Sequence, residues 1–192
     1  MKVCCIPVSK LSNEVVKSTK SFKQNFSDFI RDEDIVWIER PVAEKDFNFK
    51  QIIPYVVLQK SDGKIACYQR HGNEKRLHGL YSCAVGGHID EPDKATTFIE
   101  TIQKGMIREL SEELANFDKS KITLKYLGFI HEIESEVGLL HIGIVYLGKC
   151  AEGYFPKETD ETRGLEWKSI EELKELKTEL WSKLALELLE EK

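Results

Sequence analysis

No stretch of this chain approaches the roughly 20 consecutive apolar residues that a membrane-spanning helix requires. The apolar start, Val3 to Val8, is interrupted by Pro7 and is too short for a secretory leader, so the expected location is the cytoplasm, with no membrane contact. A basic excess is also missing: 28 Lys and Arg stand against 33 Asp and Glu, a formal net charge of −5. Sequence-independent duplex binding needs a phosphate-neutralising surface, so nucleic acid is not an expected partner. Cysteine is sparse, and the five, at 4, 5, 67, 83 and 150, form no Cys-x-x-Cys pair. That argues against a disulfide framework and a zinc knuckle, and the adjacent Cys4 and Cys5 are expected to be buried thiols rather than a redox pair. None of the histidines (71, 78, 88, 131 and 141) makes a His-Glu-x-x-His, and Gly63-Lys64 lacks the upstream Gly and following Ser or Thr of a Walker loop.

What is present is a globular composition, 41% hydrophobic over 192 residues, enough for one core-bearing domain with an extension. Residues 1–45 alternate weakly and are read as an N-terminal extension, with Ile35 to Ile38 its one strong strand signal; residues 46–192 form the main domain. Two strand-like runs, Ile52 to Leu58 and Ile65 to Tyr68, flank Asp62-Gly63, a hairpin signal because Gly63 can take a positive φ. A polar loop from His71 to His78 leads to a short strand, Leu80 to Val85, ending in Gly86-Gly87. Ile99, Met106, Leu110 and Leu114 share one face of a helix expected over about 96–114, and Gly105 within it is expected to let that helix pack close to a sheet. Strands are expected over Ile122 to Glu132 and Leu139 to Gly148, separated by an acidic loop at Glu134-Ser135-Glu136. Ser169-Ile170-Glu171-Glu172 is a capping box that opens one or two amphipathic helices, whose leucines keep no strict heptad and are expected to pack on the sheet. Strands interleaved with helices predict an α/β layered domain.

One constellation rises above this background, Arg108-Glu109-Leu110-Ser111-Glu112-Glu113. At about 100° per residue Glu109, Glu112 and Glu113 lie at about 0°, 300° and 40°, so three carboxylates leave one helix face while Leu110 and Leu114 turn to the core. An Arg-Glu-x-x-Glu-Glu string is expected only about 0.01 times by chance in a chain of this composition. Like charges gathered in this way suit a hard divalent cation, Mg²⁺ or Mn²⁺, which takes oxygen ligands. The Gly-Gly pair upstream can turn a main-chain carbonyl toward such an ion. A solvated acidic helix face is the alternative.

These residues resemble the signature of the Nudix hydrolases: Gly, five residues, Glu, seven residues, then Arg-Glu-apolar-x-Glu-Glu-x-Gly-apolar. Arg108, Glu109, Leu110, Glu112 and Glu113 fall in place, Glu100 stands eight residues before Arg108, and Arg70 ends a strand on the approach to the glycines. The resemblance covers about residues 50 to 170 and implies an α/β/α sandwich around a mixed β-sheet. The step from Gly87 to Glu100 is 13 residues rather than six, which places a seven-residue insertion within His88 to Ile99. Val85 stands where Pro often precedes the glycines, and Ala115 and Asn116 occupy the end of the motif.

The resemblance further implies that Glu109, Glu112, Glu113 and the Gly87 carbonyl hold Mg²⁺ or Mn²⁺, that Arg108 and Glu100 form an orienting pair, and that Arg70 binds substrate. The implied reaction is hydrolysis of a pyrophosphate linkage in a nucleoside diphosphate joined to another group. The base is Glu112 or Glu113, or a carboxylate from a later loop, Glu158 or Glu161, with Glu161 preferred as an added metal ligand. Glu132, Glu134 and Glu136 compete from the other acidic loop. A catalytically inactive Nudix-fold ligand-binding or regulatory module is the alternative, and an isomerase using Cys83 is a more distant one. The extension and the leucine-rich tail could each form a homodimer surface.

Overall fold

The structure, a computed structural model, describes residues 1–28, 30–70 and 79–190; the loop expected from His71 to His78 lies outside them. Ten strands are described: β1 (Lys2–Pro7), β2 (Lys20–Phe22), β3 (Val36–Glu39), β4 (Phe49–Gln59), β5 (Ile65–Gln69), β6 (Tyr81–Ser82), β7 (Val85–Gly86), β8 (Ile122–His131), β9 (His141–Cys150) and β10 (Glu166–Lys168). Six helices accompany them: α1 (Asn13–Val16), α2 (Arg40–Ala43), α3 (Phe98–Glu113), α4 (Glu136–Leu140), α5 (Ile170–Lys174) and α6 (Leu180–Glu190). The main path of the sheet runs β10-β5-β4-β9-β8-β2. The pairing of β4 with β9 is parallel and the others are antiparallel, so the sheet is mixed.

Strand β4 is the axis of the molecule. Its Lys50 to Leu58 run is buried throughout, as expected of a strand covered on both faces. Alternation divides that run. Val56 and Leu58 meet Met106 and Leu110 of α3, with Leu114 just past its end, on one face, while Tyr55 and Val57 meet Leu184, Ala185 and Leu188 of α6 on the other. The layers are therefore helix, sheet, helix. The C-terminal leucines pack on the sheet, with Leu173, Leu184, Leu186 and Leu188 buried. The hairpin turn between β4 and β5 forms at Asp62-Gly63, where Gly63 adopts φ +86°.

The N-terminal residues are woven into the same sheet. Strand β1 pairs with β3 and with the start of β4, and β2 extends the far edge on β8. Leu80 to Val85 is two short strands rather than one, because the chain breaks between Ser82 and Val85 to pass from β5 to β4. The acidic loop contains α4, which Ser135 caps by accepting from the Gly138 N–H. All five cysteines are free and buried. Among the described residues no helix is long and apolar enough to cross a membrane.

Candidate active site

Helix α3 begins at Thr97, whose hydroxyl accepts from the Glu100 N–H (3.2 Å) while Glu100 Oε2 accepts from the Thr97 N–H (3.1 Å). This capping box uses the Glu100 carboxylate locally. A third N-terminal N–H, that of Phe98, donates to Asp32 Oδ1 at 2.7 Å, so an N-terminal residue caps the same helix.

Arg108 is accordingly held elsewhere. Its Nε and Nη2 donate to Asp93 at 3.1, 3.2 and 2.8 Å, and Nη2 also reaches the His88 carbonyl at 2.7 Å. Asp93 is buried, and its own Oδ2 accepts from the Asp90 N–H. The expected Arg108–Glu100 pair is thus corrected to Arg108–Asp93. Asp93 stands six residues after Gly87, the interval at which the signature has its Glu, so the longer spacing falls between Asp93 and Arg108. That preserved interval, with Asp in place of Glu, was the sequence signal for it. Gly105 does not abut the sheet as expected; a Cβ there would lie 3.0 Å from Ile89 and 3.3 Å from Asp93, both in the loop that carries the Arg108 partner.

The three expected carboxylates leave α3 on one side, in different surroundings. Glu109 lies against Gly87 so closely that a Cβ on Gly87 would fall 2.1 Å from its Oε2. Burial raises the Glu109 carboxyl, and Arg108 Nη1, 2.7 Å away, opposes that. Glu112 is exposed and 3.2 Å from the same Nη1. Burial, and then the charge of Glu109, push Glu113 up to about 8; Arg70 acts against them and Glu161 with them. Among the described residues no three His, Cys, Asp or Glu side chains converge closely enough to hold a metal ion. Arg108 Nη1 instead stands between Glu109 and Glu112.

The end of α3 is fastened to the loop that bears Glu158 and Glu161. The Glu113 carbonyl accepts from both Thr159 Oγ1 and Thr162 Oγ1 at 2.8 Å, and Ala115 and Lys157 exchange backbone hydrogen bonds. Asn116 takes φ +55°, the left-handed turn that a glycine would otherwise supply. Glu158 is committed within its own loop, accepting from the N–H groups of Gly164 and Leu165, whereas Glu161 is exposed and within the field of Glu113. Glu132 is buried and accepts from the N–H groups of Glu134 (2.6 Å) and Ser135 (2.9 Å), which commits it to shaping its loop. Cys83 is wholly buried and its thiol is pushed up to about 12 by burial, unsuited to nucleophilic work.

Beside the glycines opens a cavity of about 350 Å³, lined by Arg70, Gly86, Gly87, His88, Glu132, His141, Glu179 and Trp181 among others. Arg70 lies 3.9 Å from Glu179 on one side and its charge is felt by Glu113 on the other, so it joins the cavity to the carboxylate face. His88 and His141 meet Nε2 to Nε2 at 3.3 Å, and burial lowers His88 to about 3, leaving it neutral. Asp93, His88, Glu179 and Tyr55 were not singled out by sequence reasoning.

Comparison with known proteins agrees with this geometry. The family model for the NUDIX domain matches residues 50–189. Protein YmaB of Bacillus subtilis (strain 168) is 35% identical over 161 residues, covering 80% of this chain and 77% of YmaB. The crystal structure of Tm1382 aligns with a TM-score of 0.77 at 29% identity, covering 98% of each chain. The NUDIX domain of Shewanella oneidensis NrtR, solved with ADP ribose, shares the fold at a TM-score of 0.57 and 16% identity, over 79% of this chain and 91% of that one. With the motif helix, the glycine turn and the mixed sheet in register, the chain belongs to the Nudix hydrolase superfamily.

Proposed function

We propose that this chain is a Mg²⁺- or Mn²⁺-dependent pyrophosphohydrolase acting on a nucleoside diphosphate linked to another group. The observation that carries the reading is the seating of Glu109 on Gly87, where the space a Cβ would fill is given to a carboxylate. The donor chemistry suits a hard cation once the carboxylates draw together in place of the Arg108 contact: Glu109, Glu112 and Glu113 leave one helix face, Glu161 stands in the field of Glu113, and Glu113 carries a raised pKa from its burial that a cation would reverse. Glu109, Glu112, Glu113, Glu161 and the Gly87 carbonyl would hold the ion. When bound, it would neutralise the diphosphate charge and acidify an attacking water.

The rest of the work belongs to the chain. Asp93 holds Arg108, and Arg108 holds the His88 carbonyl, so the glycine turn and α3 keep one spacing. Arg70, which lines the cavity, would contact a phosphate leaving it. The proton acceptor is one of Glu112, Glu113 and Glu161. Arg108 Nη1 between Glu109 and Glu112 favours the second reading, a Nudix-fold binding module, since a cation must displace that contact. Five free buried thiols suit a reducing compartment, the cytoplasm.

The test is mononucleotide release from a panel of nucleoside diphosphate derivatives with Mg²⁺, with Mn²⁺ and with chelator, for wild type and Glu112→Gln. Metal-dependent turnover of one class, reduced by at least about 100-fold in the variant, supports the hydrolase. No turnover combined with no detectable Mg²⁺ or Mn²⁺ binding leaves the binding module.

A further inference from the structure

The cavity beside Gly86 and Gly87 has a wall that the carboxylate helix does not supply. Glu179, immediately before α6, is buried yet lines this cavity. Its Oε1 accepts from the Tyr55 hydroxyl at 2.7 Å and from Ser182 Oγ at 3.2 Å. Both partners are themselves fixed. The Tyr55 ring stands edge-on to Trp181, with centroids 5.6 Å apart, and Ser182 Oγ accepts from the Cys83 N–H at 2.8 Å. The carboxylate is therefore locked in one orientation. Its Oε2 accepts no hydrogen bond among the described residues and is ion-paired with Arg70 Nε at 3.9 Å, which leaves it hydrogen-bonding capacity in the cavity that Glu179 lines. A fixed carboxylate lining a ligand-sized cavity, with hydrogen-bonding capacity to spare, is the kind of polar group that sets ligand orientation and specificity.

The surroundings define what would satisfy it. Ile53, Leu80, Val137, Leu180 and the Trp181 ring give the cavity apolar walls suited to a flat ring. A volume of about 350 Å³ takes one heterocycle with its sugar and little more. The other end of the cavity is Gly86 and Gly87, against which Glu109 rests, so a ring at Glu179 directs the remainder of the ligand to the carboxylate face. A single anionic acceptor fixed in an apolar wall favours the base that puts a donor at the one position it meets and repels a carbonyl oxygen placed there.

We infer that Glu179 determines specificity in this cavity, with Oε2 accepting a hydrogen bond from the exocyclic amino group of a nucleobase, so that amino-bearing bases are selected over their keto counterparts. This inference rests on the nucleotide reading above and names the part of the substrate that reading left open. Hypoxanthine and uracil nucleotides are the disfavoured members, since each places an oxygen or a hydrogen where guanine, adenine or cytosine carries an amino group.

The experiment is equilibrium binding to the full chain without metal, by calorimetry, of GMP against IMP, AMP against IMP and CMP against UMP. Wild type is expected to favour the amino member of at least one pair by at least tenfold. Glu179→Gln, which turns an acceptor into a donor at nearly constant shape, should shrink that ratio below threefold, with folding checked by thermal melting. Should the Gln variant fail to fold, Glu179→Asp keeps the charge but withdraws it by one methylene, and a several-fold loss of the ratio is expected. Equal binding within every pair, no binding of any nucleotide, or an unchanged ratio in the folded variants overturns the inference. Metal-dependent turnover is scored separately. Amino preference without turnover would retain Glu179 and remove the hydrolase, and turnover without preference would do the reverse.

Discussion

Replacing Asp93 and Glu100 by Ala, one at a time, separates two accounts of what holds Arg108. Asp93 is buried and takes three hydrogen bonds from the guanidinium, while the Asp90 N–H depends on its Oδ2. Breaking a buried ion pair from one side costs about 3–5 kcal/mol. Arg108 is a quarter exposed and keeps Glu109, Glu112 and the His88 carbonyl, so the lower value of about 2–3 kcal/mol applies. At about 2–4 °C per kcal/mol for a chain of this size, Asp93→Ala should melt about 4–12 °C below wild type. Glu100 makes half of an exposed capping box, and Glu100→Ala should cost about 0.5–1 kcal/mol, or about 1–4 °C. Thermal unfolding followed by circular dichroism, with denaturant titration as a second measure, reads both. A Glu100→Ala variant destabilised as much as Asp93→Ala would refute the assignment of Asp93 as the anchor of Arg108.

The two glycines of the turn should respond differently. Gly86→Ala places a Cβ 2.2 Å from the Pro54 carbonyl, a backbone atom that cannot step aside, and a loss of about 3 kcal/mol or more in denaturant melts is expected. Gly87→Ala meets only the end of the Glu109 side chain, so stability should change by less than about 1 kcal/mol while Mn²⁺ affinity by calorimetry falls at least about tenfold; unaltered Mn²⁺ binding would count against the metal reading. His88 is lowered to about 3 by burial, against an ordinary value near 6.5. The unfolded chain therefore binds more protons between these values, and the contribution of neutral His88 is fully present above about 6.5 and lost as pH falls through that window. At pH 5 the loss is up to about 2 kcal/mol, and His88→Asn should flatten the acid limb of the stability profile.

Much of the fold is legible because its signals are local. Asp62-Gly63 announces the hairpin, the spacing of Met106, Leu110 and Leu114 announces α3, and Ser169 to Glu172 announces α5. The carboxylate face follows from helical geometry alone. The partner of Arg108 does not, because it depends on a loop folding back over 15 residues to bring Asp93 under the helix. Counting leftward from Arg108 finds Glu100, whose Thr97-x-x-Glu100 pattern is equally a helix start, and nothing in the spacing decides between the two roles. Glu179 was hidden for a related reason. It becomes part of a cavity wall only when the C-terminal helix docks across Tyr55, a contact spanning 124 residues. The N-terminal strands are short and weakly patterned, and gain their order from β4 and β8 rather than from their own residues.

The parallel register of β4 on β9 has a consequence for synthesis. Gln51 faces His141 and Gln59 faces Lys149, so the strand with the longest buried run waits for a partner made some 90 residues later. At about 5–20 residues per second that is about 5–20 s on the ribosome, during which Ile52 to Leu58 can pair only with the two-residue β7, at Tyr55 and Val56, while β1 and β5 hold the flanking residues Phe49 to Gln51 and Gln59. Nascent chains stalled before residue 140 should accordingly bind holdase chaperones through this segment, and release from them should coincide with the emergence of β9.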